Sequence, residues 1–168
     1  WCPDDCVGQI RFAPDAVDLG LPEVTPADAA TSGARTVVIG VAVPGGGLSP
    51  AWEKTLLALL DAGLDIASGL HDALEEHPAL VQRAKALGRH LFDVRLSGGP
   101  HRVGTGRRRT GRRVLTVGTD CAVGKKYTAL VASRWLVEAG HRATFRATGQ
   151  TGILIAGEGI AVDAVKAD

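Results

Sequence analysis

The sequence contains no methionine, only three cysteines and no apolar stretch that approaches the length of a membrane span. Because it opens on Trp1, with no initiator and no visible signal segment, we expect a fragment of a longer protein. Cys2, Cys6 and Cys121 show no metal-ligand spacing, and an odd number of cysteines argues against a disulfide framework. These absences predict a protein of the reducing cytoplasm, without a metal site and without a membrane partner.

The positive and negative charges of the chain nearly cancel. The formal net charge is +1 at pH 7, so no overall attraction to nucleic acid or to a membrane surface is expected. Apolar residues make up 45% of the 168 positions, which is enough for a sizeable core in one domain or in two small ones. Local motifs must therefore indicate the function.

The first 96 residues alternate between strand and helix patterns. The start is largely irregular, with a short strand predicted at Val7–Phe12 and a short helix at Pro26–Ser32. Three apolar runs then predict parallel strands, separated by helices that begin at Ser49–Pro50 and at Pro78. The predicted strands are Thr36–Val43, Leu64–Gly69 and Leu91–Arg95. This order predicts an α/β protein whose residues 1–96 form a Rossmann-like βαβαβ half.

Two strand ends in this half carry candidate ligand contacts. Gly45, Gly46 and Gly47 follow the first strand but lack the G-x-G-x-x-G pattern, so a tight turn is favoured over a dinucleotide site. His71 follows the second strand, where it could act as a general base or contact a ligand. A loop histidine without a functional role is an equal alternative.

A segment rich in glycine and arginine, residues 97–113, is predicted to link this half to a second domain. Its basic cluster consists of Arg107, Arg108, Arg109, Arg112 and Arg113. The cluster is either an anion site, for a cofactor phosphate or a nucleic acid, or a solvated connector between domains. No aromatic residue is interleaved to stack on bases, which argues against nucleic acid as the partner.

The second domain, residues 114–168, opens on the motif that carries most of the functional information. Val114–Val117 is a β-branched apolar run typical of a buried strand, and a helix is predicted from Lys126. Between them, Gly118–Lys125 is a glycine-bounded loop that resembles a phosphate-binding P-loop. Glycines let backbone N–H groups converge on an anion, and the helix N-terminus and Lys125 both add positive charge.

The loop departs from the common G-x4-G-K-[ST] pattern in two respects. Five residues, Thr119–Val123, separate its two glycines. Lys126 stands where an ordinary loop carries the hydroxyl that binds magnesium. The motif therefore predicts a phosphate site that differs from the site of a standard ATPase.

Farther along the chain, Ala143–Ala147 predicts another strand, followed by a polar loop at Thr148–Gly152. Ligands of parallel α/β sheets bind at the carboxyl ends of strands, so Thr148, Gln150 and Thr151 are predicted to contact a ligand. The strands needed to complete a P-loop sheet do not follow, so this domain is expected to be truncated.

Long strings of the sequence resemble two known groups of proteins. Gly-Thr-Asp at Gly118 and the five-residue spacing are similar to the loop of dethiobiotin synthetase. A larger set of sequence segments resembles a bacterial family with an N-terminal Rossmann-like domain and a C-terminal P-loop domain, whose characterised members are D-glutamate N-acetyltransferases. The segments that carry this resemblance are CVGQIR, VIGVA, SGLH, DVR, VGTGRRRTGRR, LTVGTDCAVGKKYTAL and RATGQTGILIAGEGIAVDAVKAD. Members of this family are longer, which implies that both ends are missing here.

The resemblance implies an N-acetyltransferase that moves acetyl from acetyl-CoA to the amino group of a D-amino acid, D-glutamate, in a homo-oligomer. The catalytic candidates are Lys125, Asp120 and His71, the last two as bases. Cys121 is either an acyl-carrying nucleophile or a small residue that fits the loop. The cofactor-binding candidates are Gly118, Thr119, Asp120, Cys121, Ala122, Val123, Gly124, Lys125, Lys126, Tyr127, Thr128, Thr148, Gln150 and Thr151.

Two alternatives stay open at this point. An ATP-dependent ligase or kinase would need a magnesium ligand, for which Thr128 is the nearest hydroxyl and Asp120 or Asp163 the nearest carboxylate. Thr128 lies two positions later than the usual hydroxyl, which roughly reverses its direction on a helix. The other alternative is a non-catalytic scaffold that binds a nucleotide.

Overall fold

The chain divides into two compact units, Trp1–Leu96 and Ser97–Asp168. A computed structural model describes residues 2–41, 47–96, 104–108 and 110–164. Several residues discussed above lie outside these ranges, namely Trp1, Ala42, Val43, Gly45, Gly46, residues 97–103, Arg109 and Asp168, and the side chain of Asp163 is not described either. Within the described ranges, no helix has the length and apolar character needed to cross a membrane.

The N-terminal unit contains a parallel three-stranded sheet in the order β1-β2-β3. Its strands are β1 Thr36–Ile39, β2 Asp65–Ser68 and β3 Leu91–Asp93. The register pairs Val37 with Ile66, and Ile66 with Leu91. The parallel α/β half predicted from the sequence is confirmed. Each strand is shorter than predicted, and β3 ends early because the Leu96 N–H turns back to the Asp93 carbonyl at 3.0 Å.

Three helices of this unit, α1 Pro26–Thr31, α2 Pro50–Asp61 and α3 Pro78–Leu87, begin and end where local signals place them. Thr25 and Asp28 form a reciprocal capping box at the start of α1. The Ser49 hydroxyl accepts a hydrogen bond from the Trp52 N–H at the start of α2. Gly88 ends α3 in the left-handed region at φ +63°, a conformation in which a side chain is strained. The predicted starts at Ser49–Pro50 and Pro78 are confirmed.

The core of the N-terminal unit lies between α2, α3 and one face of the sheet. Its fully buried side chains include Leu59 and Leu60 of α2, Ile66 of β2 and Leu80 of α3. Burial of these apolar side chains is the main stabilising contribution to such a small unit.

The strand predicted at Val7–Phe12 is wrong. A single parallel bridge between Gln9 and Glu23 replaces it. The buried Gln9 side chain donates to Asp18 Oδ1 at 2.8 Å and to the Leu21 carbonyl at 3.0 Å, and its own carbonyl accepts from the Leu19 N–H at 2.9 Å. A side-chain amide therefore organises this segment, in place of a ladder of backbone hydrogen bonds.

The C-terminal unit contains helices α4 Lys125–Glu138 and α5 Gln150–Ala156. The strands predicted at Val114–Val117 and Ala143–Ala147 are wrong: no described residue of either run belongs to a ladder, and only Ala147 makes an isolated bridge, to Gly159. Val114 and Val117 are 85% and 79% exposed. The physical reason is that a strand requires a hydrogen-bonded neighbour, and the described residues offer none at these positions.

Replacing Leu60 with alanine tests the core. Leu60 is fully buried, so Leu60→Ala should lower the free energy of unfolding of the N-terminal unit by about 2–5 kcal/mol, through lost burial and the cavity left behind. Urea titration followed by circular dichroism measures the loss. Lys54→Ala, at an exposed position of the same helix, is the matched control and should change stability by less than about 0.5 kcal/mol. Equal effects of the two substitutions would contradict the placement of the core.

Candidate functional site

The backbone of the glycine-lysine loop has the alternating conformation of an anion-binding concavity. Ala122 and Gly124 have left-handed φ values of +55° and +93°, with Val123 between them in the ordinary region. Alternation of the two hands turns successive N–H groups towards one point, which is how protein backbones form anion-binding nests. Ala122 is the only non-glycine residue in the described part of the chain with a positive φ. Such a strained position is typical of a functional loop.

Lys125, the first residue of α4, is held against the loop by three contacts. Its ammonium donates to the Asp120 carbonyl, and its own carbonyl accepts from the Thr116 hydroxyl at 2.9 Å. Gly118 packs so closely that an added Cβ would lie 3.2 Å from the Lys125 stem and 2.7 Å from a Val123 methyl. A side chain at this position would displace Val123 and the Lys125 stem, and the hydrogen bonds of Lys125 hold it against the loop.

The N-terminal end of α4 concentrates positive charge. Gly124 is the N-cap and provides no side-chain hydrogen bond, and the first turn holds no acidic residue. Lys125 and Lys126 occupy the first two helical positions, where the helix dipole is itself positive. The Lys126 ammonium lies 4.4 Å from the centroid of the Tyr127 ring, within the range of a cation–π interaction.

The polar side chains of the loop are engaged in local hydrogen bonds. Asp120 Oδ1 accepts from the Cys121 N–H at 2.7 Å. The Thr128 hydroxyl donates to the Gly124 carbonyl at 3.1 Å. Cys121 is exposed, and the described residues contain no group of three or more His, Cys, Asp or Glu side chains arranged to hold a metal ion. The loop therefore offers an anion main-chain N–H groups and two ammonium groups.

The other polar segment of this unit differs from the sequence prediction. The loop expected at Thr148–Gly152 is instead the start of α5, which begins at Gln150 after Gly149. Gly152 is buried, and an added Cβ would lie 2.9 Å from the Ala147 side chain, so this helix position packs closely against Ala147. The Thr148 carbonyl accepts from the Val162 N–H at 3.1 Å, while Gln150 and Thr151 lie in the first turn of α5. A role of these side chains in ligand binding stays a prediction.

The arginine segment is described in part. Arg107 and Arg113 line a shallow concavity with Gly104, Thr105 and Gly106. The backbone N–H of Arg107 lies 3.5 Å from the Thr105 hydroxyl, which is the long limit for a hydrogen bond. The two interpretations of the segment, anion site and solvated connector, stay as predictions.

In the N-terminal unit, His77 forms a side-chain hydrogen bond, although the sequence analysis did not single it out. His71 lies on the turn after β2 with an exposed side chain. His77 Nε2 lies 3.0 Å from Asp72 Oδ2, and this oxygen also accepts from the Leu48 N–H at 3.1 Å. The Leu48 hydrogen bond, followed by the one from His77, holds the pKa of Asp72 below its usual value. The signal available in the sequence was Pro78, which places His77 at a helix N-cap.

A parallel Rossmann-like unit, joined to a unit whose glycine-lysine loop opens a helix, defines the class of two-domain P-loop proteins. The chain belongs to the DUF1611 family: the model of its Rossmann-like N-terminal domain matches residues 9–97, and that of its P-loop domain matches residues 102–168. Both domains carry the description "domain of unknown function".

Relatives of known name match the whole chain. A D-glutamate N-acetyltransferase from Tritonibacter scottomollicae is 49% identical over 100% of this chain and 50% of its own length. A protein of the same name from a Pseudoalteromonas species is 40% identical over 100% of this chain and 51% of its own length. A crystal structure of a DUF1611 family protein from Anabaena variabilis matches with a TM-score of 0.75 and 38% identity, over 88% of this chain and 43% of that one. The chain thus spans about half the length of the curated relatives.

The packing of Gly118 leads to a direct test of the loop. In Gly118→Ala the new methyl group would displace the Lys125 stem and the Val123 side chain. We expect affinity for inorganic pyrophosphate, measured by calorimetry on the intact protein, to fall about tenfold, because a charge-assisted contact is lost. Gly40→Ala is the control, since no described residue lies within 4 Å of its added Cβ. Unchanged pyrophosphate affinity in Gly118→Ala would contradict a role of this loop in binding pyrophosphate.

The pair formed by Asp72 and His77 predicts a pH dependence of stability. The folded pKa of Asp72 lies below the ordinary 3.8, so its carboxylate contributes stability that is fully present above pH 3.8 and is lost as pH falls through the folded pKa. In Asp72→Asn this acid-side loss should become smaller in urea titrations repeated at decreasing pH. Asp15→Asn, at an exposed position, should keep the wild-type profile. Identical profiles for wild type and Asp72→Asn would show that Asp72 makes no such contribution.

Proposed function

We propose that the intact protein is an N-acetyltransferase that binds acetyl-CoA at the glycine-lysine loop and acetylates the amino group of D-glutamate. The observation that carries the proposal is the fixed loop itself: left-handed Ala122 and Gly124 flank Val123, and Lys125 is clamped against Gly118. This arrangement suits a phosphate or pyrophosphate group, which acetyl-CoA carries. Two relatives named D-glutamate N-acetyltransferase, at 49% and 40% identity, support the choice of reaction and acceptor.

In the proposed reaction the amine nitrogen of D-glutamate attacks the thioester carbonyl carbon. The new C–N bond forms as the C–S bond breaks, and the CoA thiolate leaves and takes up a proton. The attacking amine must first lose a proton from its ammonium form, which requires a general base. Asp120 and His71 are the groups proposed for this step, and Lys125 is proposed to position the donor through its phosphates. No acyl-enzyme on Cys121 is needed, since the amine attacks the thioester directly.

The residue that follows the loop lysine favours this function over ATP-dependent chemistry. An ATP-dependent P-loop enzyme uses the hydroxyl after its lysine to bind magnesium. Lys126 occupies that position, and the next hydroxyl along the helix, that of Thr128, donates to the Gly124 carbonyl. The ligase or kinase alternative would have to use this hydroxyl, which lies two positions later on the helix, as its magnesium ligand.

Loss of the loop lysine tests the proposal. The intact protein should release CoA from acetyl-CoA in the presence of D-glutamate, detected with a thiol reagent, and Lys125→Ala should lower kcat/KM by at least about a hundredfold. Lys54→Ala, in the other unit, is the matched control and should leave the rate unchanged. Calorimetry with acetyl-CoA and with Mg-ATP separates the two chemistries. Binding of Mg-ATP alone, with no CoA release for any D- or L-amino acid, would overturn the assignment.

A further inference from the structure

The residue after the loop lysine sets how the negative charge of a bound phosphate is balanced. In an ordinary P-loop this residue is Ser or Thr, whose hydroxyl holds the magnesium ion that shields the phosphates. Here the position belongs to Lys126, which brings a full positive charge to the same turn of α4.

The side-chain oxygens of Thr128 and Asp120 form hydrogen bonds within the protein. The Thr128 hydroxyl donates to the Gly124 carbonyl at 3.1 Å, which fixes its orientation along the helix. Asp120 Oδ1 accepts from the Cys121 N–H at 2.7 Å, which turns this oxygen of the carboxylate towards its own backbone. A divalent cation at the usual place would meet the Lys126 ammonium group where an ordinary P-loop has its hydroxyl ligand, and the two cations would repel each other.

The positive charge at this end of α4 is uncompensated within the described residues. Lys125 and Lys126 occupy the first two positions of the helix, and no acidic residue lies in its first turn. Among the described side chains, no carboxylate forms an ion pair with either ammonium group. Two lysines at the positive end of a helix dipole destabilise the free helix, and a bound anion removes that cost.

The side chain of Lys126 is also restrained by its neighbour on the helix, Tyr127. Its side chain is half-buried, and its ammonium lies 4.4 Å from the Tyr127 ring centroid. A cation–π contact limits the freedom of a long flexible side chain, so less conformational entropy is lost when the ammonium binds a ligand. An ammonium held in this way contributes more to binding than one that moves freely in solvent.

We propose that Lys126 takes the place of the divalent cation of an ordinary P-loop, so that this loop binds a pyrophosphate group without metal. Two lysines and the converging N–H groups then balance the two phosphates. That the pyrophosphate belongs to acetyl-CoA rests on the proposed function, whereas the metal independence rests on the loop alone.

The test measures binding to the intact protein by calorimetry, with inorganic pyrophosphate and with acetyl-CoA, each in EDTA and in excess Mg²⁺. Wild-type affinity for both probes should be at least as high in EDTA as in Mg²⁺. Lys126→Met should weaken both by about tenfold and should reduce their salt dependence, because one screened charge is removed. Lys126→Arg should restore most of the affinity, and Lys54→Met, at an exposed position of the other unit, should change nothing.

The outcomes separate this inference from the proposed function. Pyrophosphate binding that requires Mg²⁺, or that is unchanged in Lys126→Met with a wild-type thermal midpoint, would overturn the role of Lys126. Metal-free binding of pyrophosphate without any binding of acetyl-CoA would support that role and would refute the proposed acetyl donor. A wild-type thermal midpoint excludes a folding defect in Lys126→Met, and loss of binding in an equally stable Lys126→Arg would also overturn the role of the Lys126 charge.

Discussion

Like charges gathered at one helix end are the constraint on which the C-terminal unit depends. Lys125 and Lys126 stand at the positive end of α4, beside a loop whose N–H groups converge. In the absence of a ligand these charges repel one another and oppose the helix dipole, which destabilises this end of the helix. A bound anion would remove this destabilisation, and the free energy gained would favour binding. The same arrangement that weakens the helix end therefore favours the anion binding proposed for this loop.

The N-terminal unit was the easier part to predict because several local signals agree there. Thr25, Ser49 and Gly88 each have the residue type that a helix cap requires, and each cap is present in the structure. Continuous apolar runs gave the strand positions, although not their ends. The hydrogen bond from the Leu48 N–H to Asp72 was not predictable, since it depends on the way the segments after β2 and before α2 approach each other in space.

The C-terminal unit shows where a sequence pattern stops being informative. Val114–Val117 has the composition of a buried strand, yet Leu115 is 76% exposed and no described residue pairs with the run. Composition reports that a segment would be stable in a sheet, whereas pairing depends on a neighbour elsewhere in the polypeptide. Relatives about twice as long have more chain from which neighbouring strands could come. Trp135 on α4 is likewise a large apolar side chain that is 65% exposed.

The loop could be predicted in spite of this because its geometry is local. Hydrogen bonds and close packing within residues 116–128 fix it: the Thr116 hydroxyl binds the Lys125 carbonyl, and Gly118 packs on the Lys125 stem. A nest of N–H groups needs only a few consecutive backbone angles, so it forms without a completed sheet. Recognition of the acceptor amino acid needs side chains from distant segments, which no short motif encodes. The loop geometry on which the proposed anion binding rests is therefore readable from the sequence, while the proposed choice of acceptor depends on the fold of the whole protein.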